Sequence, residues 1–328
     1  MKAKFMNEVH LEGLLYEHSL ALKVSGPTSK VPGTEFITGT LKVATDAELT
    51  NVVEVHYTYV TEKTSKGGTN ATFTNLRSII EGKAHTYMEK KGKEDYVPTF
   101  LRIDTAIGLN DFYSENNGQE ELVSAKRNEG GFVHFIRESE MKPERDENGN
   151  TPRNSFEADM VVTSIRRIEA DEDKGIEERM AVKGVVFDFR RGILPVEFMI
   201  YNPQGMELFE DQNPSATNPF CTKVNGSQVS KTTVIRRTEE SAFGPALVKE
   251  YPRTRKEYVI ESIFNQVSYP WDDESFITAE ELRKAMGDRE TYLATVKQRS
   301  DEYKASRDAA KATPAPAPVQ AKSGSFNF

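Results

Sequence analysis

Two stretches near the N-terminus alternate apolar and polar residues with a period of two, a pattern that fits a strand with one buried face. In FITGTLKVA (36–44), Ile37, Leu41 and Val43 fall on one side, and Phe36, Thr38, Thr40 and Lys42 on the other. In VVEVHYTYV (52–60), Val53, Val55, Tyr57 and Tyr59 share a side opposite Glu54, His56 and Thr58. An earlier strand covers Glu8–Tyr16, and Gly13 inside it marks a bend. The polar run TEKTSKGGTNAT leads into TFTNLRSIIEGK, which reads as a short helix. Thr74 caps it, Leu76, Ile79 and Ile80 form its stripe, and Gly82 ends it. Strands follow at 99–107 and near 131–136. Three strands, a helix and two strands is the order of a small OB-type barrel, whose helix plugs the end between strands three and four.

The order repeats in the second half without repeating the sequence. Residues 137–154 (RESEMKPERDENGNTPRN) are charged and hold Pro143, Gly149 and Pro152, as a linker or exposed loop does. Strands are expected over 155–170, 180–189, 193–201, 218–237 and 255–262. RRG (190–192) makes a hairpin turn, and NPQGMELFED makes the helix of the second barrel. From Phe276 a helix runs to about 311, with Thr278 and Glu281 at capping-box spacing. Leu282, Ala285, Met286, Leu293 and Val296 form its partial stripe. ATPAPAPVQAKSGSFNF is a Pro/Ala tether. The expected fold is mainly β: tandem OB-like small barrels with a C-terminal helix and a disordered tail. Its domains are 1–136, a 137–154 connection, 155–270, a helical 271–311 and a flexible 312–328.

Composition narrows function by exclusion. The 328 residues carry a net charge of −8, with no apolar run long enough to span a membrane. MKAKFMNEVHLEG lacks the apolar core of a secretory signal, so a cytoplasmic protein with no membrane partner is expected. The one cysteine, Cys221, excludes an internal disulfide and reads as a buried, inert side chain. No phosphate-binding glycine loop, HExxH or GxSxG occurs, and the five histidines show no metal-ligand spacing. Asp272 and Asp273 read as an acidic turn ahead of a helix. A non-enzymatic protein without cofactor or metal is expected.

The binding signal lies in distribution. Between Lys223 and Lys256 stand eight lysines and arginines against three glutamates, a net of +5 inside an acidic chain. Such a strip can neutralise phosphates, because salt screens repulsion from the rest of the protein beyond about 8–10 Å. Phe36 with Lys42, and Phe100 with Arg102, place an aromatic and a cation together on the polar side of strands. Base stacking on single strands needs that combination. The candidate nucleic-acid contacts are Phe36, Lys42, His56, Tyr57, Tyr59, Phe100, Arg102, Arg190, Arg191, Arg236, Arg237, Arg253, Arg255 and Lys256. Tyr57 and Tyr59 read as core unless a bulge turns their face outward. Phe326 and Phe328 end the tether and suit docking into a partner.

NEVHLEGLLYEHSL, TEFITGTLKVATD and NVVEVHYTYV together resemble the opening strands of the single-stranded-DNA-binding OB-fold proteins. Gly13 sits in the bend and Ala44–Thr45 ends the second strand. SAFGPALVKEYPRTRKEYVIES resembles large OB-fold proteins of phages and mobile elements of Gram-positive bacteria. The resemblance implies single-stranded DNA as partner, a role in replication or recombination, and a tail that recruits partner proteins. It leaves the oligomeric state, including a homo-oligomer, open. Two departures stand out: the tail ends Phe-Asn-Phe without acidic residues, and Trp271 is the one tryptophan, so Phe or Tyr must stack. The competing expectation is a β-rich phage structural or assembly protein without DNA affinity.

Overall fold

A computed structural model describes residues 5–116, 119–171, 176–239, 243, 247–268 and 276–312, without the side chains of 233, 235–239, 252–253, 268 and 309–312. Trp271, Asp272, Asp273, Phe326 and Phe328 therefore lie outside the described residues. The first half holds β1 (Asn7–His18), β2 (Ala21–Val24), β3 (Glu35–Ala44), β4 (Val52–Thr61), α1 (Ala71–Ile80), α2 (Tyr87–Lys90), β5 (Phe100–Asn116) and β6 (Gln119–Ile136). The second holds β7 (Asn154–Ile168), β8 (Arg179–Phe187), β9 (Ile193–Ile200), α3 (Pro203–Gln212), β10 (Phe220–Glu239) and β11 (Leu247–Ser268). The last element is α4 (Ala279–Ala312).

Each half closes a ring of five strands. In the first, β1 pairs with β3, β3 with β4, β4 with β6, β6 with β5, and β5 with β1. In the second, β7 pairs with β8, β8 with β9, β9 with β11, β11 with β10, and β10 with β7. The third-to-fifth pairings, β4–β6 and β9–β11, are parallel and the others antiparallel. This is the OB strand order twice over. In each ring the helix between strands three and four turns its apolar stripe inward. α1 buries Phe73, Leu76 and Ile79, and α3 buries Met206 and Phe209. The cap of α1 is Asn70, whose side chain accepts from the Thr72 amide, and not Thr74, which lies inside the helix. Gly82, at φ +70°, follows the helix end as expected.

The rings join through β1 and β7, which pair antiparallel. Asn7 faces Ala158, Asn154 faces Leu11, and Val9 faces Phe156 between them, so the register is reciprocal about a local two-fold axis. A duplicated device supports it. The Asn7 side-chain amide donates to the Ile107 carbonyl and accepts from its N–H, both at 2.9 Å. Asn154 brackets Gln228 in the same way, at 2.7 and 3.4 Å. One apolar core runs through both rings. A smaller one, around Phe5, Phe187, Cys221, Phe276 and Ile277, seats the start of α4. Burial pushes the Cys221 thiol up, in keeping with an inert side chain.

β5, β6 and β11 reach much further than their periodicity predicts, while β10 has the length expected of it. They extend past the rings as two-stranded arms, wet on both faces, and such arms carry no apolar alternation for the sequence to reveal. The arms are exchanged. The β10–β11 arm of the second ring lies against β4 of the first, where Asn51 holds the Gln228 carbonyl at 3.0 Å and the Ser230 amide at 2.6 Å. The β5–β6 arm of the first ring reaches β9 of the second, where the Lys126 ammonium donates to the Glu197 carbonyl. At the crossing, the Asn128 side chain donates to Gln228 Oε1 at 2.8 Å and accepts from the Tyr258 hydroxyl at 2.7 Å. Residues 137–153 pass between the rings along a buried anchor: the Lys142 amide donates to Glu12 at 2.5 Å.

Candidate nucleic-acid interface

Oligonucleotides meet OB barrels on the outer face of the second and third strands and on the loop between the fourth and fifth. Here those parts are the β3–β4 face and, by arm exchange, the arm of the opposite ring. Opposite Ile37–Gly39 of β3, β4 takes one extra residue between Tyr57 and Val60, a bulge that breaks its alternation. Tyr57 points into the core at 2% exposure while Tyr59 stands out at 52%. The expectation that these two tyrosines share a side is thereby corrected, and Tyr57 is no surface contact. Tyr59 meets Phe36 with ring centroids 4.5 Å apart, a tilted aromatic pair open to solvent.

Cations follow along the same face. Lys42 Nζ lies 2.6 Å from Glu17 and 3.9 Å from Glu54. Lys256, from the β10–β11 arm, lies 2.7 Å from the other Glu54 oxygen. Lys231 of the same arm stands 3.9 Å from Asp46. His56 meets the Thr40 hydroxyl at 3.1 Å. Burial, and then the Arg127 guanidinium, lower its pKa below the ordinary value, which favours the neutral ring at neutral pH. Arg127 pairs with Glu129 at 2.8 Å.

The second ring repeats the arrangement. Lys183 and Glu197 pair across β8 and β9 at 3.6 Å, as Lys42 and Glu54 do across β3 and β4. Arg255 lies over the Tyr201 ring at 4.6 Å and 2.6 Å from Glu257. Lys126 sits over the Tyr258 and Phe198 rings at 4.8 and 5.4 Å. Burial outweighs the attraction of Glu197 and Glu257, and its pKa falls to about 8. A stability effect follows. The unfolded chain holds this proton up to the ordinary 10.5, so folded stability rises between about pH 8 and 10.5 and is flat below 8. Lys126→Met should remove that rise and stabilise the protein at pH 7 by up to about 3 kcal/mol. Urea denaturation of both proteins at pH 7, 8, 9 and 10 measures it; parallel pH profiles would refute the assignment.

The remaining candidates scatter. Phe100 is half-buried on β5, opposite Leu14 and Ile136. Arg102 pairs at 2.8 Å with the fully buried Glu12, which also meets His10 at 3.1 Å. Burial alone raises the Glu12 carboxyl; the Lys142 amide and Arg102 outweigh it and hold it below its usual range. Arg190 and Arg191 sit on the β8–β9 turn over Phe189 and Phe5, at 5.0 and 5.2 Å, with Arg191 also 3.7 Å from Glu281. They are off the strand face. Arg236, Arg237 and Arg253 lie on the β10–β11 arm, their side chains outside the described set. Lys126, Arg127 and Tyr201 were missed; only the KRNEGG run of β6 signals the first two. A cleft of about 1020 Å³ between the rings is lined by seven carboxylates against His10, Lys142 and Arg289, a mainly acidic lining poorly suited to phosphate.

A family model described as YorF matches residues 6–299. The chain belongs to the YorF family. No curated protein matches this YorF chain in sequence. Among solved structures, it is similar to the wild-type single-stranded DNA binding protein from Thermus aquaticus at 10% identity and a TM-score of 0.43, covering 83% of this chain and 98% of that one. A deletion mutant of that protein gives 10% and 0.43, over 82% and 97%. The assignment of two OB rings to the YorF chain rests on its own strand order. Among the described residues no helix is long and apolar enough to cross a membrane.

Proposed function

We propose that this YorF-family protein binds single-stranded DNA without sequence preference, in replication or recombination of a phage or mobile element. The observation that carries the reading is the arm exchange: it brings Lys256 and Lys231 of one ring onto the strand face where the other holds Lys42, His56 and the open Phe36–Tyr59 pair. A groove with both phosphate partners and a stacking platform suits single strands, whose bases are free to stack at about 1–3 kcal/mol each. The chain's −8 charge works against duplex DNA, which offers no exposed base faces. The two binding units are 1–136 and 155–270, joined by 137–154. Tyr201 and Arg255 serve the second unit, the arginines of the arm extend the path, and the 312–328 tail with Phe326 and Phe328 recruits partner proteins.

Fluorescence anisotropy with a labelled 30-nucleotide oligo-dT, repeated over several salt concentrations, tests the reading. Submicromolar binding that weakens steeply with salt is expected. No binding at low salt would refute it and leave the protein to a structural or assembly role.

A further inference from the structure

Glu54 stands between two ammonium groups that come from different rings. Lys256 Nζ is 2.7 Å from one carboxylate oxygen and Lys42 Nζ is 3.9 Å from the other. The Glu54 side chain is 29% exposed at the surface of the β3–β4 face. Burial by itself raises its pKa, but the Lys256 hydrogen bond and the charges of Lys256 and Lys42 outweigh it, so the carboxylate is ionised at neutral pH. Two cations converging on one anion in a solvent-open groove would hold a phosphodiester equally well, since its two free oxygens share a single negative charge.

Resting on the single-strand reading above, we infer that Glu54 determines specificity: it occupies the place of a backbone phosphate, holds Lys256 and attracts Lys42, which Glu17 also holds at 2.6 Å, until a strand displaces it. A polyanion entering the groove must pull Lys256 from Glu54 and Lys42 from Glu17 and Glu54, and then lie close to the Glu54 carboxylate. A single strand compensates by stacking bases on Tyr59 and Phe36, a few residues along the same two strands. A duplex has no free base faces to stack and gains nothing in return. Glu54 thus converts the presence of unstacked bases into a condition for phosphate binding. Glu197, paired with Lys183 at 3.6 Å and facing the charge of Lys126, repeats the arrangement in the second ring.

The test compares wild type with Glu54→Gln, Glu54→Asp and a control, Glu48→Gln, in an exposed position of the adjoining turn. Anisotropy is read with the 30-nucleotide oligo-dT and a 30-base-pair duplex over a salt series, after urea denaturation has confirmed each variant folded. Glu54→Gln should tighten duplex binding at least tenfold and oligo-dT binding less than threefold. The salt dependence should steepen by about 0.7–0.9 per phosphate gained. Glu54→Asp, charged but shorter, should fall between, and Glu48→Gln should match wild type. Equal effects of Glu54→Gln and Glu48→Gln would reduce Glu54 to a general surface charge and overturn the proposal. So would a Glu54→Gln variant whose affinities for oligo-dT and for the duplex both equal those of a wild type that binds oligo-dT. Wild type that binds no oligo-dT would instead overturn the function reading, and this inference with it.

Discussion

Replacing Lys42, Lys231 and Lys256 together by glutamine is expected to weaken oligo-dT binding at least a hundredfold at low salt. It should also flatten the salt dependence by about 2, because each lysine that meets a single-strand phosphate contributes about 0.7 to the slope. The three come from both rings, two of them on the exchanged arm, so their joint effect measures the arm exchange itself. Folding should survive, since exposed ion pairs contribute about 0–1 kcal/mol each. Asp46, the one buried partner, keeps its hydrogen bonds from the Asn51 amide at 2.8 Å and the Thr50 amide at 2.9 Å. A loss of less than threefold, with the slope unchanged, would move the binding path off this face.

Gly13→Ala should cost on the order of 3 kcal/mol or more in urea denaturation. A Cβ at Gly13 would sit 2.0 Å from the Ala44 carbonyl oxygen and 2.8 Å from its carbon, both main-chain atoms. At that point β1 pairs with β3 through Leu14 and Ala44 and with β5 through Leu14 and Phe100, so it closes the ring and cannot shift alone. Gly26→Ala, whose added Cβ meets nothing within 4 Å, is the matched control and should change stability by no more than about 0.5 kcal/mol. Equal costs at the two positions would show that the ring closure relaxes around a methyl group.

Much of this fold was legible because burial on one face writes a period of two into the chain. Ile37, Leu41 and Val43 are all fully buried, and so is Val55, as their alternation requires. The helix in the second ring was readable from its Pro203 start and apolar positions. The capping box of α4 was readable from Thr278 and Glu281, whose reciprocal bonds measure 3.2 and 3.1 Å. Its stripe was readable only in part: Ala285 is buried, while Met286 is half-exposed. The candidate site was less legible. Lys42 and Lys256 were singled out from charge and alternation, but Tyr59 was placed on the buried side of its strand with Tyr57, and Lys126 was passed over.

The sequence by itself determined the element order, the inward faces and a basic strip on an acidic chain, because each follows from neighbours within a few residues. Tertiary structure decided the rest. The β4 bulge turned Tyr59 out, the reciprocal β1–β7 register set the rings about a two-fold axis, and the arms crossed to exchange lysines. Asn51, Asn128, Asn154 and Gln228, ordinary polar residues in the chain, became its buried joints, with Asn7 half-buried beside them. Their roles depend on main-chain groups 70 or more positions away, and ring closure, not local pattern, chooses which groups those are.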